Sequence, residues 1–297
     1  MTELHLNTPH GKIFAVMTGE DSVHTPVLVI NGGPGAAHGY LRRLEVFNED
    51  RPVIFYDQLG SGQSDRAEDP SIYTVEHGAH EIQLVREALG LEQVHLYSHS
   101  AGSAYAIRHL LNGGTAQSHV MLSPMLSGQR YNQGSEHLRS RLSPDDQRIL
   151  SDTESSDTYS DAVYPKGLPQ TYIDVAQRFA AQHWCRTQPP PAEVHDAFEN
   201  IDPDLFQRLY GPEFFFIREG LMDAEEYDSL YMIGAPTCII SGEYDWITED
   251  QTTAINDAIP VCEHHILSNC AHLAHYEAPQ EHDARVARFF ERIDTGS

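Results

Sequence analysis

The chain has 297 residues, 40% of them hydrophobic, and a formal net charge of −25 from 44 Asp and Glu against 19 Lys and Arg. That length accommodates one large core, or a core with an inserted smaller unit. The charge argues against nucleic acid as a partner, because phosphate binding needs clustered cations, and no run approaches the roughly 20 apolar residues of a membrane span.

In chain order, Glu3–Leu6 and Ile13–Met17 flank the turn-rich Thr8-Pro9-His10-Gly11 and read as an antiparallel hairpin. Two continuous apolar runs follow, Pro26–Ile30 and Pro52–Tyr56, with the pattern of strands covered on both faces. The first ends in Asn31-Gly32-Gly33-Pro34-Gly35, the second in Asp57-Gln58-Leu59-Gly60-Ser61-Gly62. Thr74 is placed to cap a helix whose apolar positions Val75, Ala79, Ile82, Val85 and Leu89 follow the 3.6 period, with Gly90 as its stop. A strand over Val94–Tyr97 then runs into Ser98-His99-Ser100-Ala101-Gly102, and a helix is expected over Ala104–Leu111. His119–Leu122 reads as the next strand.

Strands alternating with helices predict an α/β fold with a mainly parallel sheet covered on both faces. From about Gly128 to Leu230 the sequence turns polar and shows helical stretches at Gln170–His183, Ala192–Phe198 and Leu205–Leu209, but no buried strand. An insertion of that length is too long for a structureless loop. The expected division is a first core segment at 1–128, a helical cap at 129–230 and a second core segment at 231–297. The last segment holds strands at Pro236–Ile240 and Glu263–Leu267 and an amphipathic helix at Gln280–Ile293.

Met1–His5 lacks the basic start and apolar centre of a signal peptide. Cys185, Cys238, Cys262 and Cys270 have no Cys-x-x-Cys spacing, so reduced thiols in a cytoplasmic protein are expected, with no disulfide framework or zinc site. The histidines are dispersed. His264 and His265 fall on opposite faces of an alternating strand, so no shared metal is expected there, and nothing calls for a cofactor.

The chemistry sits at the strand ends. A strand breaking into Ser-x-Ser-x-Gly and then a helix is the pattern of a nucleophile elbow, which pushes the Ser100 hydroxyl out at the edge of the sheet. Downstream, Asp245 follows one strand and His272 another, giving the order nucleophile, acid, base. His272 has the side-chain type suited to take a hydroxyl proton near neutrality, and Asp245 would orient its ring. His275 is the rival base. The amides of Gly33 and Ala101 are the candidate donors to a developing oxyanion, glycine being needed where backbone approaches substrate closely.

These residues resemble the proline iminopeptidase and amino-acid amidase branch of the α/β-hydrolase superfamily. The likeness rests on Gly32–Gly35, Tyr56–Ser64, the elbow, His183-Trp184-Cys185-Arg186, Gly211-Pro212-Glu213-Phe214, Gly242-Glu243-Tyr244-Asp245, and Ala271-His272 leading to Glu277-Ala278-Pro279. The resemblance implies an α/β-hydrolase fold and an acyl-enzyme mechanism on an amide or peptide bond. It carries the triad onto Ser100, Asp245 and His272, the oxyanion amides onto Gly33 and Ala101, and an amine-gripping cap carboxylate onto Glu213. Departures are Asn31 for a usual His, Ser98 for Gly, Ala101 for Trp, Ser103 for Gly, and Trp246 where a second acid often helps bind the amine. Glu219 is a possible substitute for that acid. Trp246 and Ala101 reshape the pocket. They keep open an esterase, lactonase or thioesterase of the same mechanism, and a non-hydrolytic protein on the same fold. A small molecule or short peptide is the expected substrate.

Overall fold

The computed structural model describes residues 1–156, 159, 162, 166–199 and 201–296; the expected cap therefore includes a few positions outside the described residues. Eight strands form one sheet: β1 (Thr2–Thr8), β2 (Gly11–Thr18), β3 (Val27–Ile30), β4 (Val53–Tyr56), β5 (His95–His99), β6 (Ser118–Leu122), β7 (Thr237–Gly242) and β8 (Cys262–Leu267). Their spatial order is β1-β2-β4-β3-β5-β6-β7-β8. β1 and β2 form the expected hairpin, closing at Thr8 opposite Gly11, and β2 runs antiparallel to β4. All later pairings are parallel.

The apolar runs behave as their composition requires. Every residue of β3 and β4 is buried, and their side chains alternate between two cores. Leu28, Ile30, Ile54, Tyr56 and Leu96 enter one core; Val27, Val29, Val53, Phe55 and Tyr97 enter the other. Helices α1 (Val75–Leu89) and α2 (Gly102–Leu111) pack on the first face. A 3-10 segment at His38–Phe47 covers the second together with the C-terminal helix, which runs over Pro279–Thr295.

Local signals set most boundaries. Thr74 Oγ1 accepts from the His77 amide and Gly90 ends α1 at φ 66°. The strands expected to open at Pro26, Pro52 and Pro236 open one residue later. Proline has no N–H for the ladder, but its carbonyl still serves: Pro26 accepts from His95, Pro52 from Val27 and Pro236 from His119, at 2.8–2.9 Å. Helix α2 begins at Gly102, two residues before the expected start, because it grows directly out of the turn at Ser100.

Between β6 and β7 lie α3 (Gly128–Arg139), α4 (Pro144–Glu154), α5 (Gln170–His183), α6 (Ala192–Glu199) and α7 (Pro203–Leu209). The last three coincide with expected helical stretches. The first two do not: α3 buries only Tyr131, Gly134, Ser135 and Leu138 beyond its first residue, and α4 only Leu150, so neither carries a wide apolar stripe. Their starts are nevertheless marked, since Ser127 and Ser143 accept from the Arg130 and Asp146 amides. This region touches the loops beyond the sheet: Ala37 N bonds Ala197 O, Asp202 N bonds Gly60 O, Trp246 N bonds His183 O and Leu273 N bonds Trp184 O. After β7 come α8 (Glu249–Ala258) and a short α9 (Ala274–Glu277), and α10 is the C-terminal helix already described, Pro279–Thr295. His264 reaches Ser241 and His265 pairs with Glu263, as their alternation requires. All four cysteines are free. Among the described residues no helix is long and apolar enough to cross a membrane.

One carboxylate lies within the first core. Glu81 on α1 is 2% exposed and accepts from the Leu59 amide at 3.0 Å through one oxygen, while the other has no partner among the described residues. Burial pushes its carboxyl up to about 8. The folded state holds this proton more tightly than the unfolded chain, so its contribution is full below about 4.5 and lost as pH rises toward 8. Glu81→Gln keeps an acceptor for Leu59 and removes the ionisation. Its stability advantage over the wild type should grow with pH across that window, by at most about 1.4 kcal/mol per pH unit, and then level off. Denaturant unfolding at a series of pH values measures this; an advantage independent of pH would contradict it.

Candidate active site

The strand ends gather the candidate residues. β5 delivers Ser100 into the left-handed region at φ 51°, where a non-glycine residue costs roughly 1–3 kcal/mol. The turn is held on both sides: Ser100 N donates to Leu122 O at 3.0 Å, and Ser100 O accepts from Ser103 N at 2.9 Å and Met125 N at 3.2 Å. Ser100 remains partly exposed between buried neighbours, which leaves its hydroxyl reachable. Behind it α2 presses onto the end of β3. A Cβ on Gly102 would lie 2.4 Å from Asn31 O and 2.7 Å from Ile30 O, both backbone atoms.

The two serines that depart from the family pattern are partners. Ser98 and Ser103 hydroxyls lie 2.9 Å apart, and Ser98 Oγ also meets His119 Nε2 at 2.7 Å. Side chains that would crowd a Gly-Gly elbow are here satisfied against one another.

His272, 2% exposed, follows β8, and Asp245 follows β7. His272 Nδ1 meets Asp245 Oδ1 at 2.8 Å, and the same oxygen accepts from Ile247 N at 2.9 Å. That bond leaves Nε2 as the free ring nitrogen. His272 is flanked by the Trp246 ring at 5.1 Å and the ring of His99, the residue before Ser100, at 4.7 Å. Among the described residues no hydrogen bond joins the Ser100 and His272 side chains; the two positions are linked through His99, which precedes Ser100 and whose Nε2 lies 3.2 Å from His272 O. The rival His275 is fully buried, with Nε2 on Tyr40 O at 3.2 Å, and burial together with neighbouring histidines holds it well below its usual range. It is not the partner of Asp245.

Gly32 packs against the nucleophile turn, its would-be Cβ 3.0 Å from Ser100 Cβ. Gly33 follows at φ 119°. The amides of Gly33 and Ala101 have no acceptor among the described residues.

Glu213 is completely buried. Its carboxylate accepts from Tyr159 Oη at 2.7 Å, from Phe216 N at 3.2 Å and from Phe215 N. Burial still pushes the carboxyl up to about 7, against the lowering effect of those bonds. Glu219 is exposed, ahead of a 3-10 turn at Gly220–Asp223. Trp246 belongs to a closed circuit of rings running Trp246, Trp184, Phe198, Phe214, Tyr210, Tyr131 and back, with successive centroids 5.6–6.4 Å apart. Its indole N–H is buried and has no partner among the described residues. Sequence reasoning named Trp246 as a pocket residue and met Trp184 and Phe214 only inside motifs of the resemblance. Of the other members, Tyr131 lies on α3, Phe198 on α6, Trp184 and Tyr210 just past the ends of α5 and α7, and Phe214 in the loop beyond, so no spacing links them.

Among the described residues two groups bring three potential ligand atoms within 4.8 Å of one another, Cys238 with Glu263 and His265, and His195 with Asp196 and Glu199. Arg292 already pairs with Glu263 and opposes a cation there. Neither group includes a residue from the loops around Ser100.

Comparison with known proteins follows this geometry. Residues 25–279 match the family described as alpha/beta hydrolase fold. A proline iminopeptidase of Heyndrickxia coagulans is 27% identical over 98% of this chain and 99% of its own length. The crystal structure of a Mycobacterium smegmatis proline iminopeptidase superposes with a TM-score of 0.88 at 26% identity, covering 99% of each chain. VinJ superposes with a TM-score of 0.90 at 26% identity, covering 98% of this chain and 99% of its own.

The packing behind Ser100 makes a direct prediction. Gly102→Ala places a methyl against two immovable carbonyls and should destabilise the fold by about 1–3 kcal/mol, with loss of whatever activity Ser100 supports. Urea unfolding is the check, and a variant as stable as the wild type would contradict the close approach.

Proposed function

The chain belongs to the alpha/beta hydrolase fold family and is a hydrolase, and on that footing we propose that it cleaves an amide or peptide bond through an acyl-enzyme on Ser100, as a proline iminopeptidase-like aminopeptidase or amino-acid amidase. The observation that carries this reading is the 2.8 Å bond from His272 to Asp245 beside the turn that presents Ser100. In this mechanism His272 Nε2 takes the Ser100 proton as Oγ attacks the substrate carbonyl carbon. The oxyanion is met by the Gly33 and Ala101 amides, each such donor being worth about 10²–10³ in rate. His272 returns the proton to the leaving amine, and water then releases the acyl group by the same route. Asp245 holds the ring and stabilises its protonated form.

Glu213 is the proposed counter-ion for the substrate amine, a role supported by its being a completely buried carboxylate within the inserted segment. The segment 129–230 is proposed as a cap that limits substrates to small molecules and short peptides, a role supported by its contacts with the loops after β3, β4, β7 and β8. A cytoplasmic setting is part of this reading, supported by four free cysteines.

A second reading, an ester, lactone or thioester hydrolase of the same mechanism, is favoured by one feature. Aromatic Trp246 stands where an acid would help hold an amine, and the remaining acid, Glu213, already accepts three hydrogen bonds.

Ser100→Ala should abolish labelling by a fluorophosphonate probe, and Asp245→Asn should lower kcat by about three to four orders of magnitude with the fold retained. An unlabelled wild type would remove the serine mechanism. Substrate class is decided by comparing a prolyl anilide with its cyclopentanecarbonyl isostere, which keeps the ring and lacks the nitrogen. If Glu213 grips the amine, kcat/KM for the prolyl compound relative to the isostere rises as pH passes about 7, where this carboxyl ionises, and Glu213→Gln erases the rise. Equal turnover of both compounds at every pH, with esters faster still, would replace the aminopeptidase reading with the second one.

A further inference from the structure

We propose that His99 and Tyr40 are positioning residues that lock the oxyanion loop to the loop bearing His272 through one directed chain of hydrogen bonds. The inference rests on the reading of Ser100 and His272 given above.

The direction of every bond in the chain is determined by its two ends. Gly32 N–H can only donate, so Tyr40 Oη accepts from it, at 2.8 Å. Tyr40's own proton then has His99 Nδ1 before it at 2.8 Å. A ring nitrogen that accepts carries no proton, so the His99 proton sits on Nε2. That nitrogen lies 3.2 Å from the carbonyl oxygen of His272, which can only accept. The chain therefore runs from the Gly32 amide through Tyr40 and His99 to the His272 backbone, with a single tautomer throughout. Burial and the neighbouring His272 and His275 keep His99 far below its usual range, so its ring stays neutral as the chain requires.

Each station matters for what it adjoins. Gly32 precedes Gly33, His99 precedes Ser100, and the bonded carbonyl belongs to His272 itself. Three loops that leave the sheet after β3, β5 and β8 are thus held in register by groups that do not touch the reacting atoms. Acyl transfer needs the nucleophile, base and oxyanion donors aligned to a fraction of an ångström, and a misplacement of about 1 Å can cost about a hundredfold in rate. His272 O has a second donor, Ser123 Oγ at 3.2 Å, so losing His99 does not leave that carbonyl bare. The expected consequence is a loss of alignment with the fold retained.

The test uses the whole chain with the best wild-type substrate, and reads kcat, KM, the rate of Ser100 labelling by a fluorophosphonate and the thermal midpoint. His99→Leu breaks the chain. His99→Gln retains it, because the amide oxygen can accept from Tyr40 and the amide nitrogen can donate to His272 O. Tyr40→Phe removes the first link. His99→Leu and Tyr40→Phe should each lower kcat and the labelling rate by about tenfold to a hundredfold with KM within about twofold. His99→Gln should recover most of the loss, and the double variant should be no slower than the slower single variant, as residues acting as one unit require. Ring ¹⁵N shifts of His99 should report the Nε2–H tautomer independently of activity.

The proposal is overturned if a single variant keeps full kcat, if the loss lies in KM, if Gln is no better than Leu, or if the two losses multiply. It falls also if the tautomer is Nδ1–H. An active, labelled wild type with unaffected variants removes only the positioning role. A wild type that is neither labelled nor active removes the Ser100 reading and this role with it.

Discussion

A serine forced into left-handed backbone geometry between a parallel strand and a helix is the constraint on which the arrangement depends. The φ of 51° at Ser100 is tolerated because its amide and carbonyl are both anchored, and because Gly102 lets α2 press against the end of β3. That close approach brings the Gly32–Gly33 backbone beside Ser100. Ser98 and Ser103 keep the same approach with hydroxyls in place of hydrogens by bonding to each other.

Charge is distributed on a different principle inside than outside. The surface carries most of a formal −25, where water solvates each carboxylate. Six carboxylates are buried among the described residues, and three of them show the contrast. Glu81 and Glu213 are held toward their neutral forms by burial, at about 8 and about 7. Asp245 is instead given His272 and the Ile247 amide. A buried anion is tolerated only when paired or well supplied with donors, and among these three only Asp245 has a basic side chain hydrogen-bonded to it.

Much of the fold was legible because its signals are local. Continuous apolar runs mark strands covered on both faces, Thr74 and Gly90 bracket α1, and Ser100, Asp245 and His272 each stand just past a strand. The amphipathic stretches behind α5, α6 and α7 were equally readable. α3 and α4 escaped because they bury little, so the 3.6 period that reveals a helix is barely present in them. Their serine caps were the remaining trace.

By itself the sequence determined the order of the strands, the placing of Ser100 and Asp245 just past two of them, and the glycines that let backbone approach backbone. These depend on neighbours along the chain, where periodicity and backbone sterics act directly. The tertiary structure decided which histidine meets Asp245, since His272 and His275 differ by three residues and only packing buries the second against Tyr40. It also decided that Glu213 is already hydrogen-bonded, that six aromatic rings close beside His272, and that Tyr40 and His99 join two loops. Each of these is a contact between residues tens to hundreds of positions apart. No local preference encodes such a contact; it exists only once the sheet has set which loops share an edge.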